Sequence, residues 1–227
     1  MSGGEEMKIR GVIIAVFLIF FCLSPTFSEE TSGFSKKLIA FIKQYAPDTK
    51  IDRLIKILTY QKKIAGSRLK EHFELIIPSE TVYVDKNTRN LAVITLDPKG
   101  KITFIKLIDS QSGKEIFVKE FKEGTQRVDI PTKLLKEGKN YKILVMLSYR
   151  DGNTTYTVKT TDTFTIYTPK EIPSLETKLE KARETFKNPK EYHLAVAAIF
   201  DSFSKQNPLY DFSYNRNIEL YLSKAVR

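Results

Sequence analysis

The sequence predicts an α+β protein, an antiparallel β-sandwich over residues 79–168 flanked by helical segments at 29–78 and 169–227. Three observations carry this reading. Six short runs between Leu91 and Tyr167 are rich in Val, Ile, Thr and aromatics. Turn compositions separate them, with no helix-length pattern between. On either side of this region apolar residues recur at i, i+4 and i+7, the spacing of a helix face.

The chain opens on a targeting segment, residues 1–28. Lys8 and Arg10 form a small basic region, and Val12–Leu23 is an apolar run of 12 residues. Ser24-Pro25-Thr26-Phe27-Ser28 then supplies a helix breaker, with small residues at the −3 and −1 places of a cut before Glu29. This is a secretory signal, and its run is short for a membrane span. An uncleaved membrane anchor is the alternative. Phe21 before Cys22 argues against a lipid attachment there. The expected location is periplasmic or extracellular. The 199 residues after the cut contain no cysteine, so stability falls to a packed core rather than to disulfides.

Residues 29–78 read as basic amphipathic helix. Phe34, Leu38, Phe41, Ile42 and Tyr45 lie on one stripe, ended by Ala46-Pro47-Asp48. Ile51, Leu54, Ile55 and Leu58 form a second stripe, with Asp48 or Thr49 as its N-cap. Gly66 interrupts the helical pattern beyond that stripe. Ten Lys or Arg against three acids between Phe34 and His72 make this the most basic stretch. Lys36, Lys37 and Lys43 are candidate contacts for an anionic surface; a solvated lysine face is the plainer reading.

Residues 79–168 carry the strands: Leu91 to Leu96, Ile102 to Ile108, Glu115 to Phe121, Arg127 to Ile130, Tyr141 to Tyr149 and Thr155 to Tyr167. Tyr141, Ile143, Val145, Leu147 and Tyr149 alternate with Lys142, Leu144, Met146 and Ser148, giving one reliably apolar face. Repeated strands without helices between them indicate an antiparallel sandwich. Leu135-Lys-Glu-Gly138-Lys-Asn-Tyr141 resembles the E–F corner of a fibronectin type III domain, an immunoglobulin-like sandwich. There a Leu lies six residues before a Tyr, and the Tyr hydroxyl bonds nearby backbone. The resemblance implies a structural corner at Leu135, Gly138 and Tyr141. The sequence departs from it by having no Trp, so Ile94 or Leu96 has to fill that space, and by carrying Glu137 where the family has Pro. The resemblance implies a fold and an interaction scaffold, not an activity. Asn153, Thr154 and the 110–113 loop fall at sandwich ends, where such folds meet partners.

Residues 169–227 predict three helices. Leu175, Leu179, Ala182 and Phe186 form the first stripe behind Pro173-Ser174. Asn188-Pro189 starts a second, Tyr192, Val196, Ile199, Phe200 and Phe203, which Asn207-Pro208 ends. Ile218, Tyr221, Leu222 and Ala225 form the third. Short links imply antiparallel packing resembling one tetratricopeptide unit, which must dock on the sandwich or on a partner. The Tyr192–Asp201 stretch also resembles exported bacterial proteins of unknown function with an aromatic-Asp motif in a C-terminal helix. Asp201, polar on an apolar helix, is a candidate contact residue, or else a rim position or a cap for a neighbouring segment.

Chemistry is sparse. His72 and His193 have no His or Cys at i+3 or i+4, so no metal site is expected. No nucleophile elbow and no phosphate loop occur. His193 and Asp201, eight residues apart on one helix, stand roughly 12 Å apart. The net charge of +10 is spread over the three segments and is lysine-dominated, unlike a nucleic-acid reader. The expectation is a non-enzymatic envelope protein without cofactor, metal or nucleic acid, binding another protein. The alternative is a module for an anionic envelope polymer or membrane surface. Intact mass of the native protein should place the N-terminus at or near Glu29; retention of Val12–Leu23 would indicate an anchor instead.

Overall fold

The structure is a computed structural model that describes residues 34–54, 56 and 75–225. The proposed signal segment, Ile55, Leu58, Gly66 and His72 lie outside the described residues. The chain divides between Ile39 and Ala40 into two units, and only the start of helix α1 (Lys36–Tyr45) is described in the first. Ser35 caps that helix, its hydroxyl accepting the Leu38 N–H at 3.1 Å.

Eight strands follow among the described residues: β1 Leu75–Ile76, β2 Glu80–Tyr83, β3 Asn90–Thr95, β4 Gly100–Asp109, β5 Glu115–Thr125, β6 Arg127–Pro131, β7 Asn140–Asp151 and β8 Thr154–Tyr167. Helices α2 (Pro173–Thr185), α3 (Pro189–Gln206) and α4 (Ser213–Ala225) complete an α+β chain. One sheet has three strands in the order β1-β3-β6, the other five in the order β2-β8-β7-β4-β5. A single apolar cluster draws on both: Leu91, Val93, Val128 and Ile130 from the smaller sheet; Ile102, Ile105, Leu107, Tyr141, Ile143, Val145 and Leu147 from the larger.

Two expectations about the sheets need correcting. The sheets are not purely antiparallel, because β2 runs parallel to β8 from Glu80↔Phe164 to Tyr83↔Tyr167. Strand also begins at Leu75, inside the stretch assigned to helix. The chain passes from one sheet to the other between β1 and β2, through Pro78 and through Glu80 at φ 52°. A non-glycine residue in this left-handed region costs about 1 kcal/mol or more, which the pairings on either side hold in place.

The corner forms on Tyr141. Its ring is buried beside Phe164, centroids 5.6 Å apart. Its hydroxyl accepts the Lys136 N–H at 2.7 Å. Gly138 makes the turn at φ 67°, where a side chain would be strained, and its N–H donates to the Ile166 carbonyl at 2.9 Å. Leu135 packs against the shared cluster. Ile94 does not fill the place of the missing Trp. Its register partner is the exposed Arg127, whereas Leu91 and Val93 pair with buried Ile130 and Val128. Ile94 and Ala92 therefore point away from the inter-sheet core, and Leu91 and Val93 point into it.

Helix boundaries follow local chemistry with some exceptions. Asn188 caps α3, its side-chain oxygen accepting the Lys190 and Glu191 N–H groups, and Pro189 takes the first helical position. On α2 it is Pro173 that opens the helix, after Ile172 with no side-chain cap, so Ser174 is not a cap. Helix α3 is buried continuously from Leu194 to Phe203 because other elements surround it. On α4 the buried residues are Tyr214, Leu220 and Ser223, and Ala225 is exposed. Ile218 and Tyr221 are only partly covered, against the sheet cluster. The expected stripe is rotated because α4 packs on α3 and on the sheet edge together.

Tyr141→Phe keeps the ring and removes the acceptor of the Lys136 N–H. It should lower stability in urea unfolding by about 1 kcal/mol. Tyr149→Phe, near the far end of β7, should cost a few tenths.

Candidate functional site

Helices α3 and α4 lie over the outward side of β3. All of β3 after Asn90 is buried, and the Tyr214 hydroxyl donates to the Ala92 carbonyl at 3.0 Å. The edge of β2 is covered by the same helical segment. Its Tyr83 N–H donates to Asn215 Oδ1 at 2.9 Å, and Asn215 Nδ2 returns a bond to the Tyr83 carbonyl at 2.9 Å. The Thr81 N–H donates to the Asp211 carbonyl at 3.3 Å. Tyr83, Phe200 and Phe212 form an aromatic cluster here, with centroids 5.6–6.3 Å apart.

A cleft of about 420 Å³ opens between these elements. Ala92, Ile94, Val196, Ile218 and Leu222 line it with apolar groups, alongside Asp85, Arg183, His193 and Glu219. Arg183 binds Asp85 through one guanidinium nitrogen and Glu176, 3.1 Å away, through another. The Tyr83 hydroxyl donates to Glu176. His193 Nδ1 lies 2.6 Å from Glu219. Burial alone would raise the Asp85 carboxyl; hydrogen bonds from Thr88 and Asn87 and the Arg183 charge outweigh it and hold the group below its ordinary range. Burial, then the Glu176 contact, pushes the Tyr83 hydroxyl upward, so it stays protonated. Asp85 meets Arg183 and Glu219 meets His193 on other elements, Glu176 meets Arg183 of its own helix, and the Tyr83–Glu176 bond fastens β2 to α2. Among the described residues no group of three or more His, Cys, Asp or Glu could hold a metal ion.

Asp201 is not a surface contact. It is 3% exposed and joins three parts of the chain. One carboxylate oxygen accepts from Lys205 at 2.6 Å and from Thr49 at 3.2 Å; the other accepts from Arg216 of α4 at 3.2 Å. The single Thr49 hydroxyl proton is shared between Asp201 and the nearer Ala198 carbonyl at 2.8 Å, and Asp48 Oδ2 accepts from Gln206 at 2.5 Å. The two expected caps of the second stripe therefore turn to α3 instead. The residue pattern around Asp201 flagged it; its distant partners had no sequence signal.

The other predicted contacts are scattered. Lys36, Lys37 and Lys43 are exposed on α1, a helix with no acidic residue. Asn153 is exposed at the β7–β8 turn. The 110–113 turn lies at the opposite end of the sheet, since Asp109 pairs with Tyr141 while Gly100 pairs with Tyr149. The two turns cannot belong to one contact patch.

The larger sheet also carries a feature not expected from the sequence. Its outward face bears Phe104 and Ile108 on β4, Leu144 and Met146 on β7, and Val118 on β5. These alternate with, or pair across from, the buried core positions. Val118 is 47% exposed, and the other four are partly exposed. Of the described helices, α4 packs on the strands at β1 and β2. Leu144 and Met146, on the alternate face of β7 with Lys142 and Ser148, were the available signal.

The sequence matches no protein-family pattern, and no curated protein matches it. Two solved structures show partial likeness. One comprises fibronectin(III)-like modules of Clostridium thermocellum CbhA, at 17% identity over 41% of this chain and 94% of that one, TM-score 0.24. The other is apo beta-glucuronidase 3 of Bacteroides uniformis, at 16% identity over 39% of this chain and 10% of that one, TM-score 0.22. The chain thus spans about a tenth of the glucuronidase. At these scores neither likeness bears on function.

Asp201→Ala should destabilise the protein by about 3 kcal/mol, because Arg216 loses its buried counter-ion. Lys36→Gln in parallel should change stability by only a few tenths. A small effect at Asp201 in urea unfolding would mean that the junction is relaxed without it.

Proposed function

We propose that residues 75–167 form a fibronectin type III-like sandwich in an exported, non-enzymatic envelope protein, and that this sandwich binds another protein through the outward face of its larger sheet. The observation that carries the reading is the unequal treatment of the two outward faces. Over β3 the apolar residues Ala92 and Ile94 are covered by the chain's own helices. Over β4, β5 and β7 a comparable apolar set stays open, with Val118 about half exposed. Partly exposed apolar residues interspersed with charge and threonine, the Lys106–Glu115 pair among them, suit a docking face. The strand order, with β4 flanked by β5 and β7 and a parallel β2 on β8, and the Tyr141 corner support the sandwich assignment. The matched charges of the cleft favour a fastening over a reaction centre.

A photo-crosslinking side chain placed at Val118 should yield a protein adduct in the native cell, and Met146→Glu should abolish it. A crosslinker at Asn153 should yield none. An adduct at Asn153 alone would move the contact to the hairpin turn and reject the sheet face.

A second reading rests on the acid-free helix α1 with exposed Lys36, Lys37 and Lys43, which suits an anionic polymer or membrane surface. Changing all three to Gln should leave stability within a few tenths of a kcal/mol. Loss of binding to anionic vesicles in this variant, with steep salt dependence in the parent, would favour this reading over the sheet face.

A further inference from the structure

The outward face of the larger sheet has a charge order that is complementary to itself. The register aligns Glu120, Phe104, Met146 and Lys159 in one row across β5, β4, β7 and β8. The row is acidic at one end, basic at the other and apolar in the middle. Strands about 4.8 Å apart put its charged ends roughly 14 Å from each other. Both end residues are exposed, and neither has a partner among the charge pairs of the described residues. The neighbouring rows read Val118, Lys106, Leu144, Thr161 and Glu115, Ile108, Lys142, Thr163.

We infer that the partner of this face is a second copy of the same chain, packed face to face about a two-fold axis parallel to the strands; the inference rests on the docking role assigned above to that face. Such an axis reverses each row over itself. Glu120 then meets Lys159 of the other copy at both ends, and Phe104 meets Met146 in the middle. Val118 meets Thr161, Lys106 lays its stem over Leu144, Glu115 meets Thr163, and Ile108 meets Lys142. No row opposes like charges. A face-to-face two-fold perpendicular to the strands lays each strand over its own copy, and with its axis through this row it sets Glu120 against Glu120 and Lys159 against Lys159. The charge order therefore selects the first arrangement, and like-charge contact excludes the second. Sheets packed this way stand about 10 Å apart, a span that Glu and Lys side chains bridge. The contact is isologous, so it closes at a dimer and leaves no open end for further growth.

Sedimentation of the purified protein over a wide concentration range tests this. The parent should show a monomer–dimer equilibrium. Glu120→Lys and Lys159→Glu should each weaken it about tenfold or more, since each creates two like-charge contacts. The double variant should restore it to near the parent value. The neutral variants Glu120→Gln and Lys159→Gln should weaken it less than the reversals. Circular dichroism and the urea midpoint establish that each variant is folded. A dimer indifferent to both reversals, or a double variant as weak as the two losses combined, overturns the inference. A parent that stays monomeric while Val118 still crosslinks to a different protein overturns self-pairing and leaves the docking face. A monomeric parent with no Val118 adduct overturns both.

Discussion

The strand β3 is buried on both sides, and the rest of the structure is arranged around that constraint. Leu91 and Val93 face the inter-sheet core, while Ala92 and Ile94 face the other way with Arg127 and Asp129 as register neighbours. In a two-layer protein the outward residues of such a strand would meet water. Exposing a large aliphatic side chain rather than burying it forgoes about 1.5–3 kcal/mol. The chain supplies its own cover in α3 and α4, and this gives the C-terminal segment its place. It also explains why α3 is buried continuously from Leu194 to Phe203: it is an inner layer, between the strands on one side and α2, α4 and the 46–50 turn on the others.

Burial of a helix between other elements demands polar fastenings that are complete, because an unmatched charge there is costly. Asp201 meets this demand with Lys205, Arg216 and Thr49. Around the cleft, Arg183 spans Asp85 and Glu176, and His193 meets Glu219. The Arg183–Asp85, Arg216–Asp201, Thr49–Asp201 and His193–Glu219 contacts cross between parts of the chain and specify their mutual arrangement, whereas Arg183–Glu176 lies within α2 and Lys205–Asp201 within α3. The aromatic cluster of Tyr83, Phe200 and Phe212 supplies the apolar counterpart at the same junction. The described helices cap the outward side of β3 in this way and leave Val118 on the larger sheet about half exposed.

The strands were legible because alternation and turn glycines are local signals. The six long strands fall within a few residues of their expected bounds, and the Asn188-Pro189 helix start was visible as a cap. β1 and β2 were not legible: two and four residues are too short to show a period, and pairing with β3 and β8 makes them strands. Asp48 and Thr49 looked like local caps because the capping rule sees only near neighbours, whereas their partners lie about 150 residues further on. Asp201 stood out as a polar residue in an apolar helix, yet its burial depended on Arg216 reaching it from another helix. The partner of His193 had no local signal because Glu219 is 26 positions away. The rows of the open face were readable only in part, since alternation marks Leu144 and Met146 but the cross-strand register brings Phe104, Val118, Glu120 and Lys159 beside them.

If β3 requires its helical cover, sheet and helices must unfold together. Native-state amide hydrogen exchange reads this most directly, comparing Val93 and Ile94 in β3 with Val196 and Ile199 in α3. The account predicts that both sets open with the same free energy and the same denaturant dependence, as one cooperative unit. Exchange of the α3 amides through a lower-energy opening, with β3 still fully protected, would contradict it and make the helices an independent attachment.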